Sequence, residues 1–295
     1  MKIFVLAVAL ALVPGQALAC ACGCSIFDVG TSSLIPSGPG GTAFLEYDFL
    51  DQTQNWSGNS RAPAANNDDK HISSNFFVAG AQYMFGDDWG AMAQLPYTQR
   101  YFRTEDQGAF RHAALGDVRI MGTYSGFSPD MSQGVIFGMK LPTGDHSYAH
   151  FDPDVEIGSG STDVLLGAYK TGALSADQSA NWFAQAMWQH EIATQDGYTP
   201  GSEFNAAAGI SYNNLAAGAH VTPLLQILAA RRGRDGGTGD PGNTGYTRLL
   251  ISPGLEVGFD TWKLYADVEV PVYQQVNGNQ LMPPAALKFI VSHSF

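Results

Sequence analysis

From Thr42 onward the chain breaks into short stretches in which apolar and polar residues alternate, the pattern of β-strands with one apolar face. Twelve can be marked off: about Thr42 to Leu50, Ile72 to Phe85, Trp89 to Tyr101, Leu115 to Ser125, Gln133 to Leu141, Thr162 to Leu174, Asn181 to Ile192, Ser202 to Tyr212, Ala216 to Leu228, Tyr246 to Val257, Trp262 to Val272 and Ala285 to Phe295. In the first, Ala43, Leu45, Tyr47 and Phe49 share a face opposite Phe44, Glu46 and Asp48; in the third, Trp89, Ala91, Ala93, Leu95 and Tyr97 form the apolar side. The last carries Leu287, Phe289 and Val291 on one face and stops on Phe295, which reads as the closing strand of an outer-membrane barrel.

The connections sort by length. Those after odd-numbered stretches are long and polar, as in Asp51 to His71, Pro142 to Ser161 and Ala229 to Gly245, whereas only Gly86-Asp87-Asp88 separates the second stretch from the third. A secreted, soluble β-sandwich has no reason to sort its loops this way; a membrane barrel with short periplasmic turns and longer outer loops does. A closed barrel is also the β-structure that leaves no backbone group unpaired in hydrocarbon. The expected fold is therefore all-β: a transmembrane antiparallel up-and-down β-barrel of about 12 strands with both termini periplasmic. Tyr83, Phe85 and Trp89 beside one turn, and Phe259 and Trp262 beside another, suit an interfacial girdle. Pro96, Pro223, Pro253 and Pro271 fall inside strands, where each removes a ladder donor and predicts a bulge or a gap in the wall.

The start of the chain has a different character. Lys2, the apolar run Ile3 to Val13, a Pro14-Gly15 break and Ala17-Leu18-Ala19 form a signal-peptide pattern, too short for a membrane-spanning helix. The expected organisation is a signal peptide over 1–19, a Cys-rich periplasmic or plug segment over 20–41 and a barrel over 42–295, placed in the cell outer membrane. Charged residues make up only 14% of the chain, against about 25% in soluble domains, as expected where half of each strand faces lipid. The net charge of -12 argues against nucleic acid as a partner.

With the apolar parity facing lipid, the other parity points into a lumen of mixed charge: Glu46, Asp48, Asp117, Arg119, Lys140, Asp163, Lys263, Asp267 and Glu269, together with Gln94, Gln185, Gln189, Glu191, His220, Gln226 and Arg248. All three cysteines lie in Cys20-Ala-Cys22-Gly-Cys24, where closely spaced thiolates suit Cu or Zn, a disulfide with one free thiol, or lipidation of Cys20. Ile26, Phe27 and Val29 then open a segment suited to plugging the barrel mouth. His146 and His150, followed by Asp152, Asp154 and Glu156, have the spacing to hold a divalent ion or simply to form a solvated loop. Arg231, Arg232 and Arg234 are placed to meet lipopolysaccharide phosphates. A lipid hydrolase would need a serine beside His190 or His293, with Ser211, Ser292 and Ser294 as the hydroxyls at hand, and the chain has no Gly-x-Ser-x-Gly elbow.

Five phrases carry a family resemblance: Leu115-Gly-Asp-Val118, Lys140-Leu-Pro-Thr-Gly-Asp145, Gly158-Ser-Gly-Ser-Thr-Asp163, Ser252-Pro-Gly-Leu255 and Pro271-Val-Tyr-Gln274. Together, from the fourth strand to the C-terminus, the chain resembles the outer-membrane transporter family named after the meta-pathway of phenol degradation. The resemblance implies a monomeric barrel for the passage of small molecules and transfers no catalytic or binding residue. The expectation is a channel or transporter for small, including aromatic or hydrophobic, compounds. It would meet outer-membrane lipid and lipopolysaccharide and be inserted by the barrel-assembly machinery through its last strand. A metal-handling envelope protein using the three cysteines is the alternative, and a lipid hydrolase the third.

Overall fold

The computed structural model describes residues 34–213 and 220–295. The signal-peptide and cysteine readings, Ile26 to Val29 and the start of the ninth stretch at Ala216 lie outside them. Twelve strands form the barrel: β1 Gly40–Gln52, β2 Asp69–Met84, β3 Trp89–Thr104, β4 in two pieces, Ala109–Leu115 and Arg119–Tyr124, β5 Gln133–Lys140, β6 Ser161–Ala173, β7 Ala180–Thr194, β8 Glu203–Tyr212, β9 His220–Arg232, β10 Tyr246–Phe259, β11 Trp262–Met282 and β12 Ala286–Ser294. Each pairs antiparallel with its sequence neighbours. β12 closes on β1 in unbroken register from Thr42↔Ser294 to Leu50↔Ala286, so the sheet has no free edge.

Parity along the strands is as the alternation predicts. Leu45, Leu95, Ile120, Leu166, Ile227, Val270 and Phe289 stand on the outer surface, each more than two-fifths exposed, an apolar belt that water does not tolerate at this size. At the short-turn end, rings in contact form a girdle: Phe85 against Tyr83, Tyr83 against Phe295, Phe295 against His293, His293 against Trp262, and Trp89 against Tyr124.

Two connections differ from expectation. The third is mostly strand, because Phe102 to Ala109 turns through Glu105 to Gly108 and β4 already pairs with β3 from Ala109. The eleventh shrinks to a turn because β11 runs on to Met282, pairing with a small hairpin, Gln54–Gly58 and Ser60–Arg61. Pairing continues past the level where one face must be apolar, and there the alternation fades. Of the strand prolines, Pro271 sits at a bulge between Leu249 and Leu250, and the β10–β11 ladder skips Ser252 and Pro253. Pro96 and Pro223 stay in register against Val78 and Leu255.

Glycines shape the interior. A Cβ on Gly80 would fall within the ring of Phe44, and one on Gly134 or Gly209 would lie 2.6 Å from the ring of Tyr169 or Phe183. These large inward side chains therefore lie flat over glycine on the neighbouring strand, against the wall and out of the bore.

Candidate functional site in the barrel lumen

One side of the lumen is polar. Asp48, Lys288 and Asp267 are directly opposite one another on β1, β12 and β11. Lys288 Nζ reaches Glu46 Oε1 at 2.8 Å and Asp48 Oδ1 at 3.1 Å. Asp267 Oδ2 accepts from Gln226 Nε2 at 2.9 Å, Ser252 Oγ at 2.7 Å and the Tyr265 hydroxyl at 2.7 Å. Four carboxylates, Glu46, Asp48, Asp267 and Glu269, thus face one buried lysine, with Arg248 behind them, all under one-tenth exposed.

A second ion cluster joins three of the recognisable phrases. Lys140 Nζ lies 2.8 Å from Asp163 Oδ2 and 3.7 Å from Asp117 Oδ2, and donates to Ser159 Oγ and Ser161 Oγ. Asp117 accepts from Gly144 N, Ser159 N and Ser159 Oγ at 2.9, 2.9 and 2.6 Å. Gly144 and Gly158 cross so closely that a Cβ on Gly144 would lie 2.7 Å from the Gly158 Cα. This knot turns the loop between β5 and β6 inward. Val155 is fully buried, and Arg100 donates to the carbonyls of Val155 and Glu156. Rings hold the loop to β4: His112 stacks on Tyr148 at 3.9 Å and Phe110 on His150 at 4.2 Å.

At the long-loop end, Arg232 donates to Asp235 and to the Tyr198 hydroxyl and lies 3.7 Å from Glu203. Asp154 is buried beside them, and that burial, reinforced by the Asp235 carboxylate, holds its carboxyl well above the usual range. Burial likewise raises Asp152 and Glu156, while the Gly144 carbonyl raises His146.

Apolar side chains share the bore with these groups: β2 to β7 turn Val78, Met92, Met121, Ile136, Leu165 and Met187 inward beside Gln94, Arg119, Lys140, Gln185 and Gln189 of the same strands, and Leu34 and Ile35, ahead of β1, pack against the buried apolar residues. Between the walls runs a cavity of about 250 Å³, lined from Gln82, Thr123 and Tyr169 near the short turns to Tyr198 and Arg232 at the long-loop end.

Of the residues expected in the lumen, Glu46, Gln94, Asp117, Arg119, Lys140, Gln185 and Gln189 line this cavity. Asp48, Asp163, Asp267 and Glu269 are buried in the wall as partners of Lys288, Lys140 and the Gln226 group, and Lys263 is exposed at the short-turn mouth beside Glu256, 3.3 Å away. His146 and His150 are not brought together: His146 faces Asp196 at 3.3 Å and His150 stacks on Phe110. Arg232 is not an outer-loop arginine, because its place on β9 carries the inward parity of Leu228 and Ala230. The strand alternation could have found Lys288 between outward Leu287 and Phe289; Arg100 has the parity of Thr98 and Pro96. His190 Nδ1 meets Ser202 Oγ at 2.7 Å, but Glu191 approaches the same nitrogen at 3.3 Å. A hydrolytic relay needs the carboxylate and the serine on opposite ring nitrogens.

No protein-family pattern and no curated protein sequence matches the chain. Among solved structures, the COG4313 outer membrane channel from Pseudomonas putida F1 is similar with a TM-score of 0.70 at 12% identity, covering 91% of this chain and 100% of that one. The β domain of the Bordetella autotransporter BrkA is similar at 0.55 and 12% identity, over 87% and 100% of the two chains. The CymD monoaromatic hydrocarbon channel is similar at 0.47 and 10% identity, over 88% and 89%. The chain therefore has the closed, antiparallel 12-stranded architecture of outer-membrane β-barrels.

Proposed function

We propose that this barrel is an outer-membrane channel through which small, partly apolar molecules pass, in the manner of the transporter family its loop phrases resemble. The observation that carries the reading is a cavity inside the barrel whose lining mixes thioether and aliphatic side chains with fixed ion pairs and amides. A solute with an apolar body can lie against the former while its polar atoms meet the latter. Buried carboxylates gathered on Lys288 and on Lys140 make the lining polar with groups already engaged inside the protein. The description of the Pseudomonas neighbour as an outer membrane channel is in keeping with this reading. The long-loop end faces outward and the short turns face the periplasm, as the loop sorting favours. The stretch ahead of β1 acts as a plug: Leu34 and Ile35 line the cavity and pack against the buried apolar residues, and Gly40, at φ 115° and held against Phe295, is where the chain turns from the lumen into the wall.

Liposomes carrying the full mature chain test the reading. They should swell in isotonic solutions of small uncharged solutes faster than empty liposomes, and shortening the chain to begin at Ser37 should increase the rate. Swelling no faster than in empty liposomes, from barrels shown to be folded, would contradict the channel; an unchanged rate after shortening would contradict the plug.

A further inference from the structure

The outer surface of the barrel carries a pair of arginines just beyond the apolar belt. On β3 and β4 the parity that exposes Leu95, Tyr97 and Leu115 continues through Tyr101 to Arg103 and, on the facing strand, to Arg111. Arg111 is directly opposite Tyr101, its guanidinium 5.5 Å from the ring centroid, and Arg103 is opposite Ala109. The two arginines are therefore diagonal neighbours on one face, roughly 7–8 Å apart. Both are exposed, and neither has an ion-pair partner among the described residues. Nearby acidic groups are engaged elsewhere, Asp51 by His71 and Glu105 by Lys70.

Their height on the barrel points to what they meet. Tyr101 lies about twelve residues along β3 from Trp89 in the short-turn girdle, a rise of about 30 Å for a strand tilted by about 40°. The apolar band of such a barrel is about 25 Å tall, so Arg103 and Arg111 stand in the headgroup layer at the long-loop end. Two cations beside hydrocarbon repel one another, and an anion over both relieves the repulsion. A guanidinium takes phosphate through two parallel hydrogen bonds. Arg111 is steadied for this by Tyr101, whose ring His71 meets edge-on at 5.1 Å. The net charge of -12 means that the pair is no part of a generally basic surface. Arg231 also faces outward, on β9, but it stands opposite Phe204 and Thr247.

We propose that Arg103 and Arg111 form a docking site for the phosphate groups of lipopolysaccharide. The choice of leaflet rests on the orientation given above, with the long-loop end outward. The test is titration of the folded, full mature chain in neutral detergent with diphosphoryl lipid A and with a galactosyl diacylglycerol, which has sugar and acyl chains but no phosphate, followed by native mass spectrometry. Arg103→Gln and Arg111→Gln should each weaken lipid A about fivefold, and the double variant about twentyfold, with the galactolipid unchanged. Arg231→Gln should leave lipid A binding as it is. Lipid A binding unchanged in the double variant, or an equal loss in Arg231→Gln, would overturn the site; so would displacement of lipid A by millimolar inorganic phosphate, which would make the free anion the ligand. Orientation is read separately, by labelling Gln107→Cys in the turn above the arginines with a membrane-impermeant maleimide on intact cells. Labelling without any effect of the arginines on lipid A defeats the docking site alone, whereas a folded barrel that is not labelled defeats the orientation on which it depends.

Discussion

Lys288 is the residue on which the polar wall turns. Its ammonium is buried among carboxylates, with Glu46 and Asp48 in direct contact, so removing it leaves buried acceptors without their cation. Breaking a buried pair from one side typically costs about 3–5 kcal/mol. Lys288→Met should therefore lower stability to urea by roughly that amount in lipid, and adding Glu46→Gln and Asp48→Asn should restore part of it; an unchanged midpoint for Lys288→Met would contradict the ion-paired wall. Gly80 is the opposite kind of position, important for what it lacks. Gly80→Val would push the Phe44 ring off the wall and into the bore, costing about 1–3 kcal/mol and reducing conductance. Conductance equal to the parent would show that the ring has another place to go.

The element that most modifies the bore is the loop between β5 and β6, whose inward course depends on Asp117 and on two glycines that cross. Asp117→Ala should release it, seen as faster amide exchange at Gly144 and Ser159, the two amides that Asp117 accepts. Protection unchanged at both would mean that the glycine crossing alone holds the loop. Docking should also depend on pH. Burial raises the carboxyls of Asp154, Asp152 and Glu156, so the docked loop binds more protons than the released loop. Their effect therefore favours docking as pH falls and weakens it as pH climbs above the ordinary carboxylate range, near ~4. His146 acts in the same sense: its charged form favours the docked loop, a contribution present below the ordinary imidazole value of ~6.5 and lost as pH rises through its raised value. Amide protection over residues 146 to 158, corrected for intrinsic exchange, should thus be higher at pH 5 than at pH 8; the reverse order would contradict the placement of these carboxyls.

For the molecule as a whole, the twelve strands and the lipid-facing parity were legible because lipid demands an apolar face wherever a strand crosses it, and alternation records that demand directly. Strand ends were not legible: β11 beyond Val272 and the first half of β4 pair where no such demand applies. The lumen was legible only in part. Parity placed Glu46, Gln94, Asp117, Arg119, Lys140, Gln185 and Gln189 among the inward positions, but it did not pick out the apolar part of the lining, because methionine and leucine at inward positions look like any other apolar residue. Which of the nine charged candidates line the cavity and which brace the wall depends on pairing across strands distant in sequence, such as Glu46 with Lys288, and no local pattern contains it. The loop that spaces His146 and His150 also turns them toward different partners, Asp196 and Phe110, which their spacing in sequence does not contain.

The central claim is that the bore is a path, and single-channel recording of the full mature chain in a planar bilayer under a salt gradient tests it most directly. Discrete conductance steps are predicted, small because two walls and an inward loop narrow the lumen, with a reversal potential that shifts when Arg119→Gln or Lys140→Gln changes the cavity lining. A correctly folded barrel that passes no current under any applied voltage would contradict it.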